Sequence, residues 1–276
     1  MRRLVALCLA FTCLLASTVS AAPNVTALDK AHAWVMDFIT KVAPPGRKIY
    51  YEGGQETEEE ALERYSQIAW DIVEVAYAPE TKSIFSSQNH GRSQTAAVWM
   101  GIMLQESGFM KHVDYNIGPH GRGDGGLSWC MMQLRIGKGH TIKWNWKHDR
   151  KPRWGDPEEE IFEGYTGDQL IEDRQKCIKE GHKLVRVSFK ACEELPLQDR
   201  LTAYAVGRCY PKDQTKEERD YIEGGKVKSR ARIGVAIRYF ERTKLNRGFK
   251  DQEVTQELIE RSSDEKQPAK VAQNPS

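Results

Sequence analysis

Apolar residues recur at helical spacing over most of this chain. Residues 26–42 place Ala31, Trp34, Val35, Phe38, Ile39 and Val42 on one face, and Pro44 and Pro45 end the segment. Thr57 and Glu60 form a capping-box pattern ahead of a second amphipathic helix, which carries Leu62, Tyr65, Ile68, Ala69, Ile72, Val73 and Ala76 on one face. A third helix, Ser93 through Ser107, is different: Ala96, Ala97, Val98, Trp99, Met100, Ile102, Met103 and Leu104 leave it no polar face. A helix that is apolar all round is covered by its neighbours on every side. It is the expected centre of the fold.

Beyond it the period changes. Residues 108–136 are rich in Gly and Asp, with "GPHGRGDGG" followed by "LSWCMMQLRIG", and predict a β-hairpin or small sheet around a glycine-rich tip. Residues 140–165 show no period and predict a long loop. Helices return over 167–180, 183–193, 197–206 and 229–244. From Gly248 the chain is polar without apolar periodicity, which predicts a disordered tail over 248–276. The fold class expected is mainly α (α+β): one domain over 23–247, with an N-terminal helical extension, a buried central helix and a small β-hairpin lobe.

The chain start changes the picture of where this domain works. Arg2 and Arg3, the apolar run "LVALCLAFTCLLA" and the small residues of "VSAAP" have the order of a secretory signal peptide over 1–22, cleaved after Ala21 or Ala22. The apolar run is too short for a comfortable membrane span, so an exported, periplasmic or extracellular monomer without a stable membrane span is expected. Lys+Arg number 41 and Asp+Glu 39; without Arg2 and Arg3 the two balance, which argues against a nucleic-acid partner. The cluster "KWNWKHDRKPRW" reads instead as a solvated face or a contact with an acidic wall polymer. Cys130, Cys177, Cys192 and Cys209 remain after the leader, and four thiols in an exported chain suggest two disulfides with three possible connectivities. The histidines are scattered without metal-ligand spacing, and "RIGKGHT" is not a phosphate-binding loop. No metal and no cofactor is expected.

One carboxylate stands out. Glu106 lies at the C-terminal end of the apolar helix, where burial and the negative end of the helix dipole both disfavour its ionised form. Gly108 is placed to stop the helix and leave Glu106 at the start of a loop. A carboxylic acid that keeps its proton there suits a glycosidase general acid. On position alone, an ordinary helix-end glutamate fits as well.

"ESGF" after an apolar helix, a glycine-rich hairpin ending in "SWCMMQL", and then "AYAVG" together resemble the lytic transglycosylase SLT family of the lysozyme-like superfamily, over residues 93–136 and 197–210. The resemblance implies a lysozyme-like fold and peptidoglycan glycan strands as the partner. It implies Glu106 as catalytic acid/base, Ser107 as its immediate neighbour, Met132 and Gln133 lining the substrate groove, and Tyr204 holding the catalytic carboxylate. Tyr115, Trp129 and Tyr210, with Trp144, Trp146 and Trp154, are the aromatic side chains available to sugar rings. Cys130 and Met131 depart from the family's Gly-Leu, and a cysteine there suggests pairing Cys130 with Cys209, leaving Cys177 with Cys192.

The implied reaction uses one acid. Glu106 protonates the oxygen between N-acetylmuramic acid and N-acetylglucosamine, the 2-acetamido group assists, and Glu106 then takes the C6 hydroxyl proton to give a 1,6-anhydromuramyl end. A second carboxylate that positions water would make the protein a hydrolysing muramidase resembling the goose type. Asp114 and Asp124, both expected in the hairpin, are the residues available, and both also read as turn formers. An inactive glycan-binding wall protein is the remaining alternative.

Overall fold

The helix with no polar face is α3 (Gly91–Glu106), buried from Thr95 to Met103 without interruption. The computed structural model describes residues 25–87, 89–137, 139–143 and 161–264. Around α3 pack α1 (Ala27–Val42), α2 (Glu58–Tyr77), α8 (Lys216–Thr243) and α9 (Asp251–Asp264). The short helices α4 (Lys111–Asp114), α5 (Gly167–Glu172) and α7 (Thr202–Val206) and the long α6 (Arg174–Ala191) complete the helical part. Two small antiparallel sheets stand beside it: β1 (Ser128–Trp129) with β2 (Leu134–Arg135), and β3 (His140–Lys143) with β4 (Ile161–Thr166). The protein is thus mainly helical with a β-hairpin, as its periodicity predicts.

α1 and α2 form where expected. The Thr57–Glu60 capping box is made in both directions, Glu60 N–H to Thr57 Oγ1 at 3.2 Å and Thr57 N–H to Glu60 Oε2 at 2.8 Å. On α2 the buried face is offset from the one predicted: Leu62 is 37% exposed and Arg64 only 3%. Arg64 earns its place by binding Glu56 with two N–H groups, both at 2.6 Å, and the carbonyl of Phe109 at 3.0 Å.

Three parts of the sequence reading are corrected. The tail expected over 248–276 contains α9, whose Val254 and Leu258 lie one turn apart in the core; too few apolar residues mark it in the sequence because its attachment is polar. The long loop expected over 140–165 begins and ends in the strands β3 and β4, with His140 opposite Thr166. Trp144, Trp146 and Trp154 lie outside the described residues, as do the leader over 1–22 and residues 265–276. The disulfides join Cys130 to Cys177 and Cys192 to Cys209, with Cα separations of 6.3 and 5.4 Å. Cys177 and Cys192 cannot meet because α6 runs unbroken between them, which sets them about 22 Å apart along its axis.

α6 runs on through Gly181, which lets Met132 in against it; a Cβ there would sit 2.2 Å from the Met132 sulfur. The two bridges therefore tie both ends of α6, one to the β1–β2 turn and one to the residues after α7. On the chain-entropy model they stabilise by about 4 and about 3 kcal/mol. Two disulfides fit an exported protein. Among the described residues no helix is long and apolar enough to cross a membrane.

α9 also closes the starts of two other helices. Asp251 Oδ2 accepts the backbone N–H groups of Arg92 at 2.9 Å and Ser93 at 3.2 Å, a cap that His90 does not provide from its own position. Glu257 accepts those of Ala27 at 3.0 Å and Leu28 at 2.7 Å. Helix starts leave N–H groups without internal partners, and here carboxylates from the far end of the chain meet them. Asp251 is itself paired with Arg247 at 3.1 Å, both side chains being almost wholly buried.

Replacing Asp251 by Ala strands the Arg247 guanidinium and removes both caps of α3. Urea denaturation of this variant is expected to show a loss of about 3–5 kcal/mol, the cost of leaving one member of a buried ion pair alone. His182 supplies a pH dependence. Burial pushes its imidazole down to about 4 from 6.5, against the opposing bond to the Lys82 carbonyl. Between those values the unfolded chain takes up a proton that the native protein does not. Stability is therefore full above pH 6.5 and falls by about 3 kcal/mol as pH drops to 4. Denaturation midpoints measured across that range, in wild type and in His182→Gln, check this; the variant should lack that component of the slope.

Candidate functional site

Glu106 is the last residue of α3, and the chain after it is bent by force of its surroundings. Gly108 and Phe109 both adopt left-handed backbone, with φ of 57° and 55°. Phe109 is fully buried, and a side chain in that conformation costs about 1–2 kcal/mol. The turn is held from three sides: Arg47 donates to the carbonyl of Gly108, Arg64 to that of Phe109, and Ser107 Oγ donates to the Met103 carbonyl at 2.7 Å. Among the described residues, every non-glycine residue with left-handed φ lies between Phe109 and Gln133. Strain of this kind gathers where the surroundings fix a particular geometry.

The Glu106 side chain is 19% exposed and meets a residue that lies outside the three motifs. Arg232, on α8, donates to Glu106 Oε1 from Nε at 2.9 Å and also from Nη2. Its side chain is 8% exposed, and Nη1 is buried without a hydrogen-bond partner among the described residues. Gly101 makes this approach possible. A Cβ on Gly101 would lie 2.3 Å from the Arg232 carbonyl oxygen, so only glycine lets α8 close onto α3 here. Arg232 is detectable in the sequence as a cation on an apolar face, since Ser229, Ile233, Ala236 and Phe240 are its helical neighbours and all are buried.

Tyr204, on α7, completes the group. Its ring centroid lies 5.9 Å from the Arg232 guanidinium carbon, and its hydroxyl donates to the Met132 carbonyl at 2.6 Å. Burial, then the nearby Glu106 carboxylate, push the phenol well above its ordinary value, with Arg232 opposing. The hydroxyl is a fixed neutral donor. Through it the "AYAVG" helix and the hairpin turn are joined; the hydroxyl is spent on Met132, and the Glu106 carboxylate is bound by Arg232 and not by Tyr204 as expected.

The other expected residues take different places. Ser107 spends its hydroxyl on the helix end and the Phe109 N–H at 3.3 Å, shaping the turn instead of touching substrate. The Met132 side chain is wholly buried against Gly181 and does not line a groove; its carbonyl does the work. Gln133 is half-buried, in left-handed conformation, with its amide donating to the Cys130 carbonyl at 3.1 Å. Asp114 is in α4 and not in the hairpin. Its carboxylate is bound by Arg174 at 2.9 and 3.1 Å, which leaves it committed to an internal ion pair. Asp124 is an exposed turn residue that accepts the Ser128 hydroxyl at 2.6 Å. Tyr115 and Tyr210 are exposed, and Trp129 lies under the Arg122 guanidinium at 3.9 Å.

A separate groove between α2, α6 and α9 is lined by Glu74, Gln175, Lys179 and Arg261 and contains none of these side chains. Among the described residues no cluster of three or more His, Cys, Asp or Glu is arranged to hold a metal ion. Comparison with protein-family models, with curated proteins and with solved structures finds no match for this chain.

Tyr204→Phe removes the donor to a buried carbonyl without changing the ring. It is expected to lower stability by about 1–3 kcal/mol, the cost of an unsatisfied buried acceptor, measured by urea denaturation.

Proposed function

We propose that this protein is an exported enzyme that cleaves the glycan strands of peptidoglycan, as a lytic transglycosylase with Glu106 as its single acid/base. The observation that carries the reading is the convergence of the three motifs. Tyr204 of "AYAVG" bonds the Met132 carbonyl of the "SWCMMQL" hairpin, and its ring lies 5.9 Å from the Arg232 guanidinium that binds Glu106 of "ESGF". A partly exposed carboxyl at the end of a rigid helix, with a neutral phenol fixed beside it, is a group held in one place for proton transfer.

The commitment of Asp114 to Arg174 favours the one-carboxylate route over a water-positioning pair. Glu106 gives its proton to the glycosidic oxygen as the bond from C1 of N-acetylmuramic acid breaks. The 2-acetamido group shields C1 on the opposite face. Glu106 then takes the proton of the C6 hydroxyl while O6 bonds to C1, and the strand ends in a 1,6-anhydro ring. Gln133, next to the carbonyl that Tyr204 holds, and the exposed rings of Tyr115 and Tyr210 are the groups that face the sugar.

Mass spectrometry of the soluble products from purified sacculi tests this. The wild-type protein should release anhydromuramyl ends, and Glu106→Gln should reduce release by about 10²-fold or more while keeping the wild-type denaturation midpoint. Reducing ends would assign hydrolysis, and release by neither protein would leave a glycan-binding role.

A further inference from the structure

We propose that Arg232 is the positioning residue of this site: it pins Oε1 of Glu106 and so leaves Oε2 as the one oxygen that exchanges a proton with the glycan. The proposal rests on the reading of Glu106 as acid/base. Its main observation is an asymmetry. An arginine that faces a carboxylate side-on normally gives one N–H to each oxygen. Three other pairs in this protein do so: Arg64 with Glu56, at 2.6 and 2.6 Å; Arg174 with Asp114, at 2.9 and 3.1 Å; and Arg230 with Asp199, at 2.7 and 3.0 Å. Arg232 alone among these puts both Nε and Nη2 on a single oxygen. Oε2 of Glu106 is left with no hydrogen-bond partner among the described residues.

The position of Arg232 is as fixed as that of its target. Both stand on long helices, which meet backbone to backbone at Gly101, and the guanidinium carbon lies 5.9 Å from the centre of the Tyr204 ring. A catalytic group works best when its supporting shell is built on rigid elements. A buried guanidinium with one nitrogen unpaired is in contrast a poor device for stability, because apolar replacements of such pairs are often neutral or stabilising.

The division of oxygens serves both steps. In the first, Oε2 carries the proton and Oε1, as the carbonyl oxygen, accepts both N–H bonds. The proton passes from Oε2 to the leaving glycosidic oxygen as its bond to C1 breaks, and the charge left on the carboxylate is met by the guanidinium. In the second, the C6 hydroxyl returns a proton to Oε2 while its oxygen closes on C1. Arg232 makes and breaks no covalent bond and does not have to move between the steps.

The test uses the full chain on solubilised glycan strands, with initial rates and product ends measured for wild type, Glu106→Gln, Arg232→Lys, Arg232→Ala and Arg232→Met. Arg232→Ala and Arg232→Met should lose about 10²-fold in kcat, the usual effect of a misplaced catalytic group, with KM within about threefold and the wild-type far-UV circular dichroism spectrum kept. Arg232→Lys should fall between them and wild type. Added guanidinium ion should restore part of the rate to Arg232→Ala and none to Glu106→Gln. A wild-type-like kcat in Arg232→Met, or a loss of rate matched by a loss of Tm and indifferent to guanidinium, would overturn the proposal while leaving Glu106 in its role. A wild-type protein that cleaves nothing would overturn the glycan-cleavage reading, and this proposal with it.

Discussion

The long helices α1, α2, α8 and α9 are arranged around a helix that is buried without interruption from Thr95 to Met103. A buried helix must have its unpaired backbone groups met inside the protein at both ends, and α3 meets this demand in opposite ways. At its start the N–H groups are taken by a carboxylate from α9. At its end the chain turns sharply through Gly108 and Phe109 and is clamped by Arg47, Arg64 and Ser107. Between those two closures the helix is fastened at both ends. Glu106 inherits that rigidity.

The neighbourhood of Glu106 is assembled by close approach as much as by attraction. Gly101 admits α8 and with it Arg232, while Gly181 admits Met132 to α6, so that its carbonyl stands where Tyr204 can donate to it. The disulfides secure the second of these joins and the seat of α7: Cys130 lies two residues before Met132, and Cys209 five residues after Tyr204. Packing sets the distances, and covalent bonds keep the hairpin and α7 from drifting relative to α6.

Much of this was legible in the sequence where the signal is local. The Thr57 and Glu60 pattern, the spacing of Trp34, Val35, Phe38 and Ile39, and the lack of a polar face on α3 each depend on neighbours within one or two turns, and each is realised. What failed was non-local. α9 holds on through Asp251 and Glu257, which look like solvated charge until the helix starts they cap are known. The N-terminal half of α8 offers one strongly apolar buried residue, Ile222, beside two glycines, so its period is lost. The cysteine pairing expected from the departure at Cys130 failed because α6, continuous from Arg174 to Ala191, points Cys177 and Cys192 to different neighbours. At the candidate site, Glu106 was visible from its place at the end of an apolar run and Tyr204 through its motif, whereas Arg232 belongs to no motif and announces itself only as a charge on a buried stripe.

The caps supplied by α9 bear on when this protein can fold. Asp251 reaches back 159 residues to Arg92, and Glu257 reaches back 230 to Ala27. Contacts of such separation are the slow ones to form, and until they do, the first and third helices lack the partners that end them. A chain growing from its N-terminus therefore lacks both caps until its last described helix has been made. In an exported protein, which the two disulfides fit, such a late closure keeps the polypeptide threadable while it is synthesised.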